Sequence, residues 1–274
     1  MVFRTNLIDA IKFFYSTPGA PYVHNLAGEA GPVGDAGQAQ TTAFNPIHAM
    51  FDNERFGIAG HSLGATGVSV VQGETADARW LPLTENPVDV AVAWDNLALS
   101  ESLDGVDVVP RVPAMGQSGD YFLAPAPYPL PDPVSGSATP GDPDPQLKSR
   151  GFSRWQQANV PAMQVNLRAA AHYEWSLLPE FPASYWQPGL ILAPDASNRP
   201  ARHSGNAVAQ YYTLAWFDRW LKAPGEAGYD SADARLADDA VFADSFSFHF
   251  QSQRDFPARD GTPLVCEDLL AGCG

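Results

Sequence analysis

The sequence predicts an α/β chain with a mostly parallel sheet flanked by helices, and three observations carry that expectation. Short apolar runs of the length of a fully buried strand occur around 56–60, 86–96, 112–118 and 162–168. Helical patterns alternate with them, the strongest over 206–222. The first run turns through Gly60-His61-Ser62-Leu63-Gly64 straight into a small-residue helix, a strand–turn–helix junction.

Taken in order, residues 6–16 read as an amphipathic helix, with Leu7, Ile8, Ile11, Phe14 and Tyr15 on one face. Thr5 or Asn6 can cap it, and Pro18 follows its end. Residues 19–42 shift to Gly, Ala, Pro and Gln and read as loop, followed by a short helix over 46–52. The strand from Phe56 and the helix over 65–72 then form the junction. Val88-Asp89-Val90-Ala91-Val92-Ala93-Trp94 is the second strand, and Val112 to Ser118, ending at Gly119-Asp120, the third. The Pro-, Asp-, Gly- and Ser-rich stretch 123–145 reads as irregular surface chain. A short helix at 153–158 leads to the fourth strand, Ala162–Arg168, which runs into His172 and Tyr173. Residues 174–205 read as loop. In the helix 206–222, Val208, Tyr212, Ala215, Trp216 and Trp220 make the buried stripe, and Pro224 ends it. Ser245 to Phe250 alternates at period two, as a half-buried strand would, and opens a C-terminal portion 245–274.

No stretch reads as a linker, so the 274 residues are taken as one domain, 1–274, with 1–55 preceding the turn. At 45% hydrophobic and 17% charged the chain can bury a sizeable core. A net charge of −15 argues against nucleic acid and anionic membrane as partners. No apolar run is long enough to span a membrane, and Arg4, Asn6, Asp9 and Lys12 interrupt any signal-peptide pattern. The two cysteines, Cys266 and Cys273, read as a disulfide closing a small loop, which implies a secreted setting; two free thiols are the alternative. No metal-ligand spacing occurs, and Asp132, Asp142 and Asp144 read as a solvated loop.

The chemistry concentrates at strand ends. A serine hydroxyl needs a base to take its proton and an acid to orient that base. Ser62 follows the first strand, Asp120 the third and His172 the fourth, all at carboxyl ends where sites in parallel sheets gather. Gly60 and Gly64 would remove side chains that collide at the turn, and the helix N-terminus would face a developing oxyanion. Asp95, after the second strand, competes for the acid role, with strand order favouring Asp120. His203 is a rival base, though its segment follows no strand. His61 reads as structural, beside the nucleophile, and His24, His48 and His249 as surface or core.

On the residues Gly60-His61-Ser62-Leu63-Gly64, Gly116-Gln117-Ser118-Gly119-Asp120 and Ala171-His172-Tyr173-Glu174-Trp175, the chain resembles the α/β-hydrolase superfamily. The likeness covers roughly residues 5–222 and is nearest to secreted bacterial lipases, cutinase-like esterases and dienelactone-hydrolase-like enzymes. The resemblance implies an α/β-hydrolase-like fold, Ser62 as nucleophile, His172 as base, Asp120 as orienting acid and the Leu63 N–H as an oxyanion donor. The aromatics Trp94, Tyr121, Tyr173 and Trp175 suggest an apolar pocket, suited to fatty esters or to polyesters including aromatic ones. Against that pattern the chain reads as N-terminally shortened. The strands that usually precede the elbow are missing, and with them the loop giving the second oxyanion N–H. A misplaced start, a naturally reduced hydrolase, and a sheet completed across a homodimer through its exposed edge are the three explanations. The expected function is hydrolysis of carboxylic esters without a cofactor. A non-catalytic binding protein on the same fold and an amidase or peptidase are the alternatives.

Overall fold

The computed structural model describes residues 2–25, 40–100, 105–121, 143–172, 174–176 and 205–273. The expected irregular stretch 123–145 and the loop 174–205 lie largely outside the described residues, as do Tyr173 and His203.

The first helix, α1 (Val2–Phe14), buries Ile8 and Ile11, the centre of the predicted apolar face. The stretch 19–42 corrects the loop expectation at its two ends. There β1 (Tyr22–Asn25) and β2 (Gln40–Ala43) pair antiparallel, Tyr22 opposite Ala43 and Asn25 opposite Gln40. Four residues per strand are too few to show a period, although Val, Tyr and Thr favour extended chain. The short helix expected at 46–52 is one 3₁₀ turn, His48–Met50.

Six further strands form the main sheet in the order β3 (Phe56–His61), β4 (Val88–Trp94), β5 (Ala114–Gly119), β6 (Ala162–Leu167), β7 (Gln253–Pro257), β8 (Pro263–Cys266). The first four run parallel and the last two antiparallel. This is an α/β fold with a mostly parallel sheet. Helix α2 (Leu63–Val71) joins β3 to β4, and α3 (Arg150–Gln157) precedes β6. Beyond β6 come α4 (Gly205–Leu221) and α5 (Ala232–Ala237).

Strand alternation divides the core. Ala91 and Ala93 of β4 face one side, with Ile8, Ile11, Val68, Val71, Phe152 and Trp155 from α1, α2 and α3. Val90 and Val92 face the other, with Val208, Tyr212 and Trp216 of α4 and Leu236 of α5. Both faces of β5 and β6 are fully buried, and their mostly apolar and small residues are interrupted only by Gln117, Gln164 and Asn166, each hydrogen-bonded inside the core. β3 is an edge strand: it pairs with β4 and has no second neighbour among the described residues.

The strand expected at 245–250 is absent. The chain there makes a 3₁₀ turn, Ala243–Ser245, and touches β6 only through a bridge between Leu167 and Phe246. The Ser247 hydroxyl accepts the amides of His249 and Phe250, which turns the chain and ends any ladder. Phe246 and Phe250 are buried and Phe248 lies outward under Arg168, which reproduces a strand-like alternation without a strand. The real C-terminal strands went unforeseen because β7 carries Gln253, Arg254 and Asp255. Arg254 is buried against Asp239. Cys266 and Cys273 form the expected disulfide, closing β8 onto the chain end. Among the described residues no helix is long and apolar enough to cross a membrane.

Candidate active site

The β3–α2 turn places Ser62 at φ 60°, ψ −122°, a region L-residues avoid and surrounding structure must impose. The backbone supplies that hold. The Ser62 N–H donates to Trp94 O at 2.9 Å, and its carbonyl accepts from Ala65 N at 2.9 Å and Thr66 N at 3.2 Å. Gly60 is required there, since a Cβ would lie 2.4 Å from the Gly64 carbonyl oxygen. The matching expectation for Gly64 is corrected: a Cβ at that position meets nothing within 4 Å. The Ser62 side chain does not cap α2, so it takes no amide of the helix's first turn, that of Leu63 included.

His172 is delivered by a tight turn after β6. Ala169 adopts φ 53°, Ala170 N donates to Leu167 O, and Glu174 N donates to Ala171 O. The turn brings His172 Nδ1 to 2.7 Å from Asp95 Oδ2, with the two side chains 5% and 2% exposed. A carboxylate at Nδ1 fixes the tautomer that protonates Nδ1 and leaves the lone pair on Nε2. Asp95 is itself held. It follows β4 at φ 55°, its N–H donates to Gln117 O at 2.7 Å, and its Oδ1 accepts the Ser118 hydroxyl at 2.7 Å. Ser118 escaped the sequence reading because its role depends on register: Trp94 pairs with Gln117, which sets Asp95 beside Ser118.

Asp120 is therefore corrected as the partner of His172. It is buried at the end of β5, but its Oδ2 accepts Ala169 N at 2.7 Å and its Oδ1 accepts the Ser247 hydroxyl at 2.5 Å. Tyr121 N donates to Ala170 O at 3.0 Å. The carboxylate thus grips the turn that carries His172 rather than the imidazole.

His61 joins the two halves of the site. Its Nε2 lies 2.6 Å from His172 O and therefore carries the proton, because a carbonyl only accepts. The two imidazole centroids are 4.7 Å apart. Burial lowers the His61 pKa below its ordinary 6.5, and the nearby His172 lowers it further, against the opposing bond to the His172 carbonyl. A neutral His61 spares the site a second positive charge when His172 takes a proton.

Of the expected aromatic pocket, Trp94 and Trp175 line a cavity of about 400 Å³ against α4. Tyr121 does not. It is buried against Ala171, under the His172 turn. Tyr173 lies outside the described residues. The one metal-like grouping among the described residues, Asp239 with Cys266 and Cys273, has both sulfurs joined to each other and offers no thiolate. Comparison of the chain with protein-family models and with curated proteins finds no match.

Proposed function

We propose that the chain is a serine hydrolase of carboxylic esters on an α/β-hydrolase-like fold, with Ser62 as nucleophile, His172 as base and Asp95 as the acid that orients it. The observation that carries the reading is the buried Asp95–His172 contact at 2.7 Å, on a turn fastened to the residue before a strained Ser62. In this mechanism His172 Nε2 takes the Ser62 hydroxyl proton as Oγ attacks the ester carbonyl. The oxyanion forms at the N-terminus of α2, toward the Leu63 N–H. Collapse breaks the bond to the alcohol oxygen, which leaves with the proton from His172, and an acyl-Ser62 remains. Water, deprotonated by His172, then attacks the acyl carbonyl, and the bond to Ser62 Oγ breaks as Oγ takes that proton back from His172, releasing the acid. Asp95 stabilises each imidazolium. No step calls for a cofactor.

The disulfide at the chain end supports an oxidising, extracellular setting. A second reading, a hydrolase-like binding protein with weak or no catalysis, is favoured by one observation. Among the described residues the strand bearing Ser62 stands at the sheet edge, where a loop from a further strand would otherwise bring a second oxyanion donor. Labelling the purified chain with a fluorophosphonate probe, beside a p-nitrophenyl butyrate assay, tests both. Labelling and turnover that vanish in Ser62→Ala establish the esterase; a folded chain that neither labels nor turns over ester rejects it for the binding protein.

A further inference from the structure

The cavity beside Asp95 has an unusual wall. Trp94 Nε1 donates to Thr213 Oγ1 at 3.1 Å, and Trp175 Nε1 donates to Gln117 Oε1 at 2.9 Å. Gln117 Nε2 in turn donates to Thr213 Oγ1 at 2.9 Å and to Ala209 O at 3.2 Å. Gln117 is wholly buried and Thr213 nearly so. One hydrogen-bonded bridge therefore runs between β5 and α4 and holds an indole at each end. Both indole N–H groups are spent on the protein, so what remains for the cavity is ring surface, joined by Ala209 and Leu214. The remaining described lining side chains, Asn206 and Gln210, are neutral amides, and among the described residues none that lines the space is charged.

Three links tie this cavity to the reacting atoms. Trp94 immediately precedes Asp95, its carbonyl accepts the Ser62 N–H, and the Trp175 ring centre lies 6.1 Å from that of His61. Its volume, about 400 Å³, falls among small-molecule sites, which span about 300–1,000 Å³. An anion entering it would lose its hydration and meet no cation among the described lining residues. A flat or extended apolar group would gain contact with two rings already fixed in place, with little ordering left to do.

We propose that this cavity binds an uncharged, apolar group of the ester, attached next to the reacting bond, and that the Gln117–Thr213 bridge sets this specificity by keeping Trp94 and Trp175 rigid. The inference rests on the ester-hydrolase reading, so its test includes an arm that needs no turnover. In Ser62→Ala protein, saturation-transfer NMR of methyl benzoate shows binding, and sodium benzoate binds at least about ten-fold more weakly. Leu214→Trp in the same background fills the cavity and removes the signal. Binding that Leu214→Trp abolishes supports the cavity whether or not the wild type hydrolyses esters. Methyl benzoate binding that Leu214→Trp leaves intact, or equal binding of benzoate, overturns it even in an active esterase.

For the bridge, Thr213→Val keeps the side-chain shape but removes the hydroxyl. It lowers kcat/KM for a benzoyl ester about ten-fold more than for the acetyl ester of the same alcohol, and Thr213→Ser restores the ratio. An equal loss within this acyl pair and within a matching alcohol pair, benzyl acetate against methyl acetate, or no loss in either, rejects the bridge as the specificity device. Varying the acyl group with p-nitrophenol fixed, and the alcohol with acetyl fixed, tells which side of the ester enters; only a series flat on both sides contradicts the proposal.

Discussion

The carboxyl ends of β4 and β5 present the same residue in the same place, and they do different work. Asp95 and Asp120 each follow a parallel strand directly, and each is buried and accepts a serine hydroxyl, from Ser118 and Ser247 respectively. The remaining oxygen of Asp95 meets an imidazole, whereas that of Asp120 meets a backbone amide two residues beyond the end of β6. In the proposed mechanism one orients the base, while the other shapes the turn that carries His172. A strand-end carboxylate is thus a position, and its role comes from which element the neighbouring loop carries over it.

Substitution separates the two most sharply. Asp95→Asn keeps the shape but loses the acceptor that fixes the His172 tautomer, and kcat on p-nitrophenyl butyrate falls on the order of 10⁴-fold. Asp120→Asn leaves that tautomer intact and lowers kcat far less. An Asp120→Asn loss equal to that of Asp95→Asn would show that His172 uses both acids. The two glycines of the elbow offer a parallel contrast. Gly60→Ala forces a Cβ against the Gly64 carbonyl, destabilising the fold by about 1–3 kcal/mol or more and disturbing Ser62. Gly64→Ala enters open space on a helix and raises stability by up to about 1 kcal/mol, measured by urea unfolding.

Asp120→Asn also costs stability. A buried charged acceptor for Ala169 N and the Ser247 hydroxyl is replaced by an amide that can accept only through one atom, a loss of about 1–3 kcal/mol seen as a lower urea midpoint. The smallest effect belongs to His61. The depressed His61 pKa means that below pH about 6.5 the unfolded chain binds a proton that the folded chain resists. His61 therefore contributes stability that is present above that pH and is lost as pH falls through the folded value. Stability of His61→Gln measured from pH 7.5 downward declines less steeply than that of the wild type.

Much of this architecture is legible in the sequence because buried parallel strands and the long helix leave strong patterns. β4 and α4 fall where their apolar runs and stripes put them, and Ser62 and the Cys266–Cys273 pair stand out by local motif and isolation. The acid was not readable in the same way. Asp95 and Asp120 differ only in what lies over them, and that is decided by the φ 53° turn at Ala169, a residue with no turn signature of its own. β7 was hidden for a related reason: Arg254 reads as surface until its partner Asp239, fifteen positions earlier, is known to reach it.

The strand that leads into Ser62 also has a colloidal consequence. Phe56–His61 leaves one row of backbone donors and acceptors without a strand neighbour among the described residues, and the sequence there holds no Lys, Glu, Asp or Pro to blunt it. At neutral pH a net charge of −15 keeps such edges apart by mutual repulsion. Near the isoelectric point, about 4.6, that repulsion disappears while the edge remains. Solutions brought to that pH cloud through strand-to-strand pairing, and Ala59→Lys, at an exposed position of β3, keeps them clear as read by light scattering.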